Sequence, residues 1–134
     1  MPATNILALD VGEKRIGMAA GDTAMKIPRI LPTLSNDDNF SNQLADIVTY
    51  EGIDAIVVGY PRNLAGEITA QTEVVEQFIA SLQTAVSIPI YTQDESLTSI
   101  KAEERLRERG KPYARADIDA EAAAIILQDY MDAA

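Results

Sequence analysis

The chain has 134 residues, enough for one ordinary domain with its own core, and 47% of them are apolar. It contains no cysteine and no histidine, which excludes disulfides, thiolate or imidazole metal sites and the common histidine-based catalytic arrangements. Any catalysis must therefore use carboxylates, hydroxyls, Lys, Arg, Tyr or a metal ion. There is no signal-peptide pattern and no apolar run near the roughly 18 residues of a membrane span, so we expect a cytoplasmic protein that does not enter a membrane.

The formal net charge of −10 disfavours nucleic acid as a partner, because phosphate neutralisation drives such binding. The charge is unevenly distributed, however: residues 105–115 carry +4, and the remainder carries −14. This asymmetry permits a basic edge on an acidic body, although cations that complement a helix dipole would look the same. The five cations of this basic cluster are Arg105, Arg107, Arg109, Lys111 and Arg115.

The N-terminal part of the chain predicts an antiparallel meander of three strands. Residues 6–9 are four consecutive apolar residues that run into Asp10, the pattern of a strand buried on both faces. A tight turn around residues 12–14 leads to a glycine-rich second strand over 15–21, on which another element is expected to pack closely. The third strand, over 27–34, contains two prolines and therefore suits a sheet edge.

The rest of the chain alternates helices with strands. The predicted elements are a helix from about 40 to 51, a buried strand over 55–58, a helix with its apolar face from 71 to 82, a short strand over 88–91, a helix from Thr98 to Gly110 and a last helix over 117–131. No linker or repeat interrupts this order. It predicts one α/β domain over residues 1–134, with the later strands parallel through helical crossovers.

Two acidic positions are predicted at strand ends. Asp10 ends the first buried strand, where an unpaired charge is costly, although a turn-capping aspartate would fit as well. Asp94 and Glu95 follow a strand whose carboxyl end lies where open α/β sheets bind ligands. An ordinary acidic pair before a helix N-terminus is the alternative, and the pattern does not choose between the two residues.

A third acid stands out on the helical wheel of the last helix. With about 100° per residue, Asp119 is centred on the apolar face, whereas Asp117 and Glu121 point to the opposite side, towards solvent. A carboxylate attracted by the helix dipole is the alternative explanation. We favour a functional role for Asp119, because Asp117 would serve the dipole equally well without burial.

Three inward carboxylates would repel one another unless a cation lay between them. Oxygen ligands alone select a hard cation such as Mg²⁺ or Mn²⁺. Two such ions about 4 Å apart can activate water and stabilise the leaving oxygen during phosphodiester cleavage. This chemistry needs neither histidine nor cysteine, in agreement with the composition.

Four stretches resemble, in the same order along the chain, the YqgF-like family, whose members are described as Holliday junction resolvases or pre-16S rRNA nucleases. They are Leu-Asp-Val-Gly-Glu-Lys-Arg-Ile-Gly at 9–17, Val-Val-Gly-Tyr-Pro-Arg-Asn continuing to Gly at 57–66, Asp-Glu-Ser-Leu-Thr at 94–98, and Ile-Asp with Ala-Ala and Ile-Ile-Leu-Gln at 118–128. Each motif alone is only weakly specific for the family, but four motifs in the same order are strong evidence of the resemblance. Ser96 departs from the pattern, since the family usually has Arg there.

The resemblance implies a single RNase H-like α/β domain with a mixed five-stranded sheet, antiparallel for the first three strands and then parallel, flanked by helices. It implies a metal-dependent endonuclease that uses two Mg²⁺ or Mn²⁺ ions. The family's three acidic positions, which would be both catalytic and metal-binding, fall on Asp10, Glu95 and Asp119. The resemblance thus selects Glu95 rather than Asp94.

Basic and amide side chains are expected to bind the nucleic acid. Lys14, Arg15 and Asn63 match family positions, Arg62 lies beside Asn63, and the basic cluster of residues 105–115 is added from its charge. The expected substrate is precursor 16S rRNA, with a four-way DNA junction as the alternative. We expect a monomer or a homodimer, with ribosome-associated or processing factors as possible partners.

Two other functions fit parts of the sequence. A non-catalytic module that binds nucleic acid or a processing partner would agree with the acidic charge and with Ser96. The Asp-x-Gly turn also resembles the phosphate loop of actin-like ATPases and sugar kinases. Those proteins enclose a nucleotide between two such domains, which a single chain of 134 residues does not supply.

Overall fold

The protein is built on a five-stranded sheet whose strands are β1 (Asn5–Val11), β2 (Arg15–Asp22), β3 (Arg29–Ser35), β4 (Ala55–Tyr60) and β5 (Ile90–Asp94). Their order in the sheet is β3-β2-β1-β4-β5. The structure is a computed structural model that describes residues 3–61, 65–95 and 98–133, except the side chain of Ser99. The pairs β1–β2 and β2–β3 are antiparallel, whereas β1–β4 and β4–β5 are parallel. The predicted mixed sheet in a single α/β domain is confirmed.

Helices cover both faces of this sheet. They are α1 (Phe40–Glu51), α2 (Ala70–Ala85), α3 (Thr98–Glu108) and α4 (Arg115–Ala133). α1 and α2 pack on one face, α4 packs on the other, and α3 packs on α4. In the part of the chain that the structure describes, no helix is long and apolar enough to cross a membrane.

Strand β1 is buried on both faces, as predicted, and this orients Asp10. Leu7 and Leu9 belong to the core under α1 and α2, whereas Ile6 and Ala8 pack against α4. Because side chains alternate along a strand, Asp10 falls on the face that α4 covers. The first acid of the predicted site therefore points towards the helix that carries the third.

Helix α4 lies directly on β2, and Gly17 makes this possible. A Cβ atom at Gly17 would lie 2.0 Å from the backbone oxygen of Asp119 and 2.9 Å from the backbone nitrogen of Ala120. No residue with a side chain fits there without moving the helix. The expectation of close packing on the glycine-rich strand is confirmed, and the contact fixes the height of Asp119 above the sheet.

Strand β5 begins later than predicted, at Ile90, and extends to Asp94. The carbonyl of Pro89 accepts a hydrogen bond from the backbone N–H of Ile56, so the hydrogen bonding to β4 begins at Pro89. The apolar pattern missed the polar second half, because this edge strand is partly exposed and needs no apolar residues there. Glu95 consequently follows the strand immediately.

The predicted exposure of Glu121 is wrong: only 2% of this residue is accessible. The reason is a second packing surface on α4. The side of α4 that a wheel assigns to solvent is covered by α3, where Ala102 packs with Ala122 and Ile125. A helix between a sheet and another helix has two buried faces, and a single-helix wheel cannot show the second.

Candidate active site

The structure places the three predicted acids on one face of the sheet, at the edge where the parallel strands end. Asp10 is the penultimate residue of β1, Glu95 follows β5, and Asp119 lies one turn into α4. Because β1, β4 and β5 run parallel, their carboxyl ends meet at this edge. The three acids, which are far apart in the sequence, are thereby brought to the same region of the structure.

Gly59 in β4 makes room for Glu95. A Cβ atom at Gly59 would lie 2.8 Å from the carboxyl carbon of Glu95 and 2.5 Å from the Cδ1 atom of Ile126 in α4. The Glu95 carboxyl therefore lies over the β4 backbone, between the sheet and α4. Sequence reasoning did not identify Gly59 as a site residue, although its motif at 57–66 contains it.

Asp10 and Glu95 are hydrogen-bonded to each other through their side chains. Burial raises the pKa of Glu95 to about 9, with further increases from the charge of Asp10 and from this hydrogen bond. Burial also raises the pKa of Asp10 to about 6, together with the charge of Asp119, while the hydrogen bond to Glu95 lowers it. At neutral pH the pair therefore holds one proton between its two carboxyl groups.

Asp119 is paired with a cation of the protein itself. Nε of Arg15 donates a hydrogen bond to Oδ2 of Asp119 at 2.9 Å, between β2 and α4. Both side chains are partly exposed, at 35% for Arg15 and 24% for Asp119. The charge of Asp119 still affects Asp10, so the three acids form one electrostatic unit.

The donor chemistry of this unit fits a hard divalent cation. All the donor atoms are carboxylate oxygens. For the carboxyl groups of Asp10 and Glu95, burial and mutual repulsion disfavour the ionised form. Among the described residues, no three acidic side chains already stand in the arrangement of a metal site. The side-chain contacts explain this arrangement, because the Glu95 carboxyl is hydrogen-bonded to Asp10 and the Asp119 carboxylate is paired with Arg15.

The turn between β1 and β2 is held rigidly beside the acids. The Gly12 N–H donates to the Arg15 carbonyl at 2.9 Å. Asn36 then fixes the turn from outside: its Nδ2 donates to the Gly12 carbonyl at 2.8 Å, and its backbone N–H donates to the Lys14 carbonyl at 2.9 Å. Sequence reasoning missed Asn36, because only the return of β3 brings it to this turn.

A pocket of about 520 Å³ opens between this turn and the start of α4. Its lining includes three cations and two acids; the residues are Gly12, Glu13, Lys14, Arg15, Arg115 and Asp119. The cations Lys14, Arg15 and Arg115, predicted to contact nucleic acid, thus come together beside Asp119. The pocket can accommodate a phosphate group next to the acid cluster.

The basic cluster is used in part inside the protein. Arg109 makes two hydrogen bonds to the buried Glu121, at 2.9 and 3.1 Å, and Nη1 of Arg105 lies 3.6 Å from the same carboxylate. Arg107 pairs with Glu103 and donates to the hydroxyl of Tyr113. The contacts of Arg105 and Arg109 with Glu121 join the end of α3 to α4, whereas the pair of Arg107 with Glu103 lies within α3. This part of the cluster therefore has a structural role that the charge pattern did not reveal.

The other residues predicted to contact nucleic acid are exposed or lie outside the described residues. Lys111 is exposed between α3 and α4, and Arg115, also exposed, is the first residue of α4. Arg62 and Asn63 fall outside the described residues, as does Ser96. Their roles stay predictions.

Comparison with known proteins gives one family over nearly the whole chain. The family model described as "RuvX: Holliday junction resolvase" matches residues 4–133. A Chloroflexus aurantiacus protein named as a candidate pre-16S rRNA nuclease is 44% identical over 132 residues, covering 96% of this chain and 86% of the relative. A Roseiflexus protein of the same name is 40% identical over 133 residues, covering 95% and 93%.

Solved structures show the same fold at low sequence identity. Thermus thermophilus RuvC in complex with a Holliday junction substrate superposes with a TM-score of 0.62 at 15% identity, over 97% of this chain and 94% of that one. The fowlpox virus resolvase in complex with Holliday junction DNA gives 0.58 at 12% identity, over 97% and 98%. The expected RNase H-like fold is thereby confirmed.

Proposed function

Because the chain belongs to the RuvX family of Holliday junction resolvases, the YqgF-like family that its motifs indicate, we propose that it is a divalent-metal-dependent endonuclease acting on structured nucleic acid. One observation carries the proposal. Asp10 and Glu95 are hydrogen-bonded to each other at the carboxyl edge of the sheet, with Asp119 close enough to raise the pKa of Asp10. Such concentrated acidity is costly for the fold and is typical of catalytic sites.

Each side chain has a task in the proposed reaction. Asp10, Glu95 and Asp119 would hold the divalent cation through their carboxylate oxygens, and Glu95 would do so in its ionised form. A divalent cation bound there supplies Lewis-acid activation of water and neutralises charge on the scissile phosphate. Lys14 and Arg115 position the backbone of the substrate from the adjacent pocket.

We favour precursor 16S rRNA as the substrate. This choice is supported by relatives at 37–44% identity that carry that name and match nearly full length. The structures bound to Holliday junctions are only 12–15% identical and support the fold alone. A four-way DNA junction is therefore the alternative substrate. Processing of rRNA would also agree with the predicted cytoplasmic location and with ribosome-associated partners, whereas a junction resolvase would need a symmetric dimer.

A non-catalytic nucleic-acid-binding module is the second candidate. The ion pair between Arg15 and Asp119 favours it, since a positive charge of the protein already satisfies one predicted ligand. Calorimetric titration with Mn²⁺ separates the two functions. The nuclease binds Mn²⁺, whereas a binding module shows no heat of binding at millimolar concentrations.

A cleavage assay tests the nuclease directly. Radiolabelled precursor 16S rRNA and a four-way DNA junction are incubated with Mg²⁺ or Mn²⁺ and with wild-type protein or Asp10→Asn. We expect cleavage of the RNA by wild type and none by the variant, with unchanged circular dichroism. Equal cleavage by both proteins would refute the assignment of Asp10, and cleavage of the junction alone would reverse the choice of substrate.

A further inference from the structure

Backbone packing brings Arg15 of β2 and Asp119 of α4 close together. Arg15 opens β2, two residues before Gly17, whose contact with the Asp119 carbonyl seats α4 on the strand. Asn36 holds the turn just before Arg15. The guanidinium and the carboxylate are thus placed opposite each other at 2.9 Å by the fold.

This pair conflicts with the proposed task of Asp119. Oδ2 of Asp119 accepts from Nε of Arg15, so one of the two ligand oxygens is already satisfied by a positive charge. A divalent cation beside that guanidinium would meet strong like-charge repulsion. The side chain of Arg15 is 35% exposed and borders the open pocket, so it can turn away without disturbing the core.

We propose that Arg15 and the divalent cation bind Asp119 alternately, and that Arg15, once displaced, turns into the adjacent pocket to bind a phosphate of the substrate. The inference rests on the proposed nuclease function. Lys14 and Arg115 line the same pocket, so the displaced guanidinium completes a group of three cations around a space of about 520 Å³. Arginine suits this exchange because its planar fork matches carboxylate and phosphate equally well.

The exchange makes the two ligands of the site cooperative. Cation binding frees the group that grips phosphate, and phosphate binding removes the group that competes with the cation. By linkage, each ligand must then strengthen the binding of the other by the same factor. Without nucleic acid, Arg15 keeps the site in a form with low affinity for the cation.

The test measures Mn²⁺ affinity by calorimetry in the absence of nucleic acid, for wild type, Arg15→Gln and Lys14→Gln. Lys14 is the matched control, because it is the adjacent cation on the same turn and the ion pair to Asp119 is made by Arg15 instead. We expect Arg15→Gln to bind Mn²⁺ about fivefold more tightly than Lys14→Gln does. Equal or weaker binding by Arg15→Gln would overturn the exchange, because Arg15 would then support Asp119 as a ligand through Oδ2.

A second readout follows the side chain itself. In ¹⁵N spectra of arginine side chains, the Nε–H signal of Arg15, assigned with Arg15→Lys, should shift on addition of Mg²⁺. Over the same titration the signal of Arg29, which pairs with Glu51 at the far end of β3, should stay constant. An Arg15 signal that does not move while Mg²⁺ binds would contradict the displacement.

The outcomes separate this inference from the proposed function. If neither wild type nor Arg15→Gln binds Mn²⁺, the metal-dependent nuclease itself is refuted. If both bind equally, the nuclease stands and the exchange fails. Binding of a non-cleavable 2′-O-methyl RNA hairpin completes the test: Mg²⁺ should strengthen it for wild type, and this gain should be lost in Arg15→Gln.

Discussion

The proton shared by Asp10 and Glu95 makes the stability of the protein depend on pH in an unusual direction. The folded protein holds the pKa values of these groups at about 6 and about 9, above ordinary values of 3.8 and 4.5. Between roughly pH 4 and 9 the folded state therefore binds more protons than the unfolded state. Stability must then fall as pH rises through this range, because the proton that relieves the repulsion is lost.

Chemical denaturation in the presence of EDTA checks this sign. We expect the free energy of unfolding to fall from about pH 5 to about pH 9 in wild type, and to fall less in Glu95→Gln, which keeps the hydrogen bond without a titrating proton. Asp46→Asn on α1, away from the pair, should keep the wild-type slope. A Glu95→Gln profile parallel to wild type would show that the pair does not titrate in this way.

Gly59 is predicted to be a functional glycine rather than a structural one. In Gly59→Ala the new methyl group meets the ends of two side chains, Glu95 and Ile126, which can move, whereas the backbone can stay. We expect a folded protein with a modest loss of stability, about 1–3 kcal/mol, and with clearly weaker Mn²⁺ binding as Glu95 is displaced. Wild-type Mn²⁺ affinity in this variant would separate Glu95 from the site.

Among the elements, α4 is the most tightly constrained by packing, since it contacts the sheet on one side and α3 on the other. Gly17→Ala puts a methyl group into the α4 backbone rather than against mobile side chains. It should therefore lower the melting temperature far more than Gly59→Ala does. Comparable melting curves for the two variants would contradict the close packing of α4 on β2.

Two arginines near the end of α3 give a matched comparison of a buried and an exposed carboxylate partner. Among the described residues, Arg109→Ala leaves the buried Glu121 with only the longer contact to Arg105, so we expect a loss of about 1–3 kcal/mol in urea denaturation. Arg107→Ala removes a surface pair to Glu103, worth at most about 1 kcal/mol. A larger loss in Arg107→Ala would reverse this assignment.

The elements also show what sequence could predict and why the rest escaped. The buried strand ending in Asp10 and the inward position of Asp119 followed from the sequence pattern, because each is encoded by the order of apolar residues within a single element. Glu121 was placed wrongly because its burial depends on a second helix. Gly59 and Asn36 act through contacts between segments distant in sequence, which periodicity does not encode.

At the scale of the whole molecule, the net charge of −10 is compatible with nucleic-acid binding because the charges are segregated. No Lys or Arg occurs between Arg29 and Arg62 or between Arg62 and Lys101, so α1 and α2 carry no cation. Those helices cover the face opposite α4. Most of the described cations lie instead at the β1–β2 turn and from α3 to the start of α4, and three of them, Lys14, Arg15 and Arg115, line the pocket with Asp119.

Because the cations are segregated, we predict that the salt dependence of RNA binding comes from cations beside the candidate site and not from those at the opposite end of the sheet. Lys14→Gln and Arg115→Gln should each weaken RNA binding and lower the salt slope by about one. Lys26→Gln removes the same charge at the β2–β3 turn, at the opposite end of the sheet, and should leave the slope unchanged. The slopes come from fluorescence anisotropy over a range of salt concentrations, and an equal effect of all three variants would argue for unspecific attraction.

The central claim is that Asp10, Glu95 and Asp119 together hold the cation of a nuclease. Anomalous scattering from crystals grown with Mn²⁺ tests it most directly. We predict a peak within coordination distance of all three carboxylates, with the Arg15 guanidinium turned away from Asp119. No peak at saturating Mn²⁺, or a peak elsewhere while Arg15 still holds Asp119, would contradict the account.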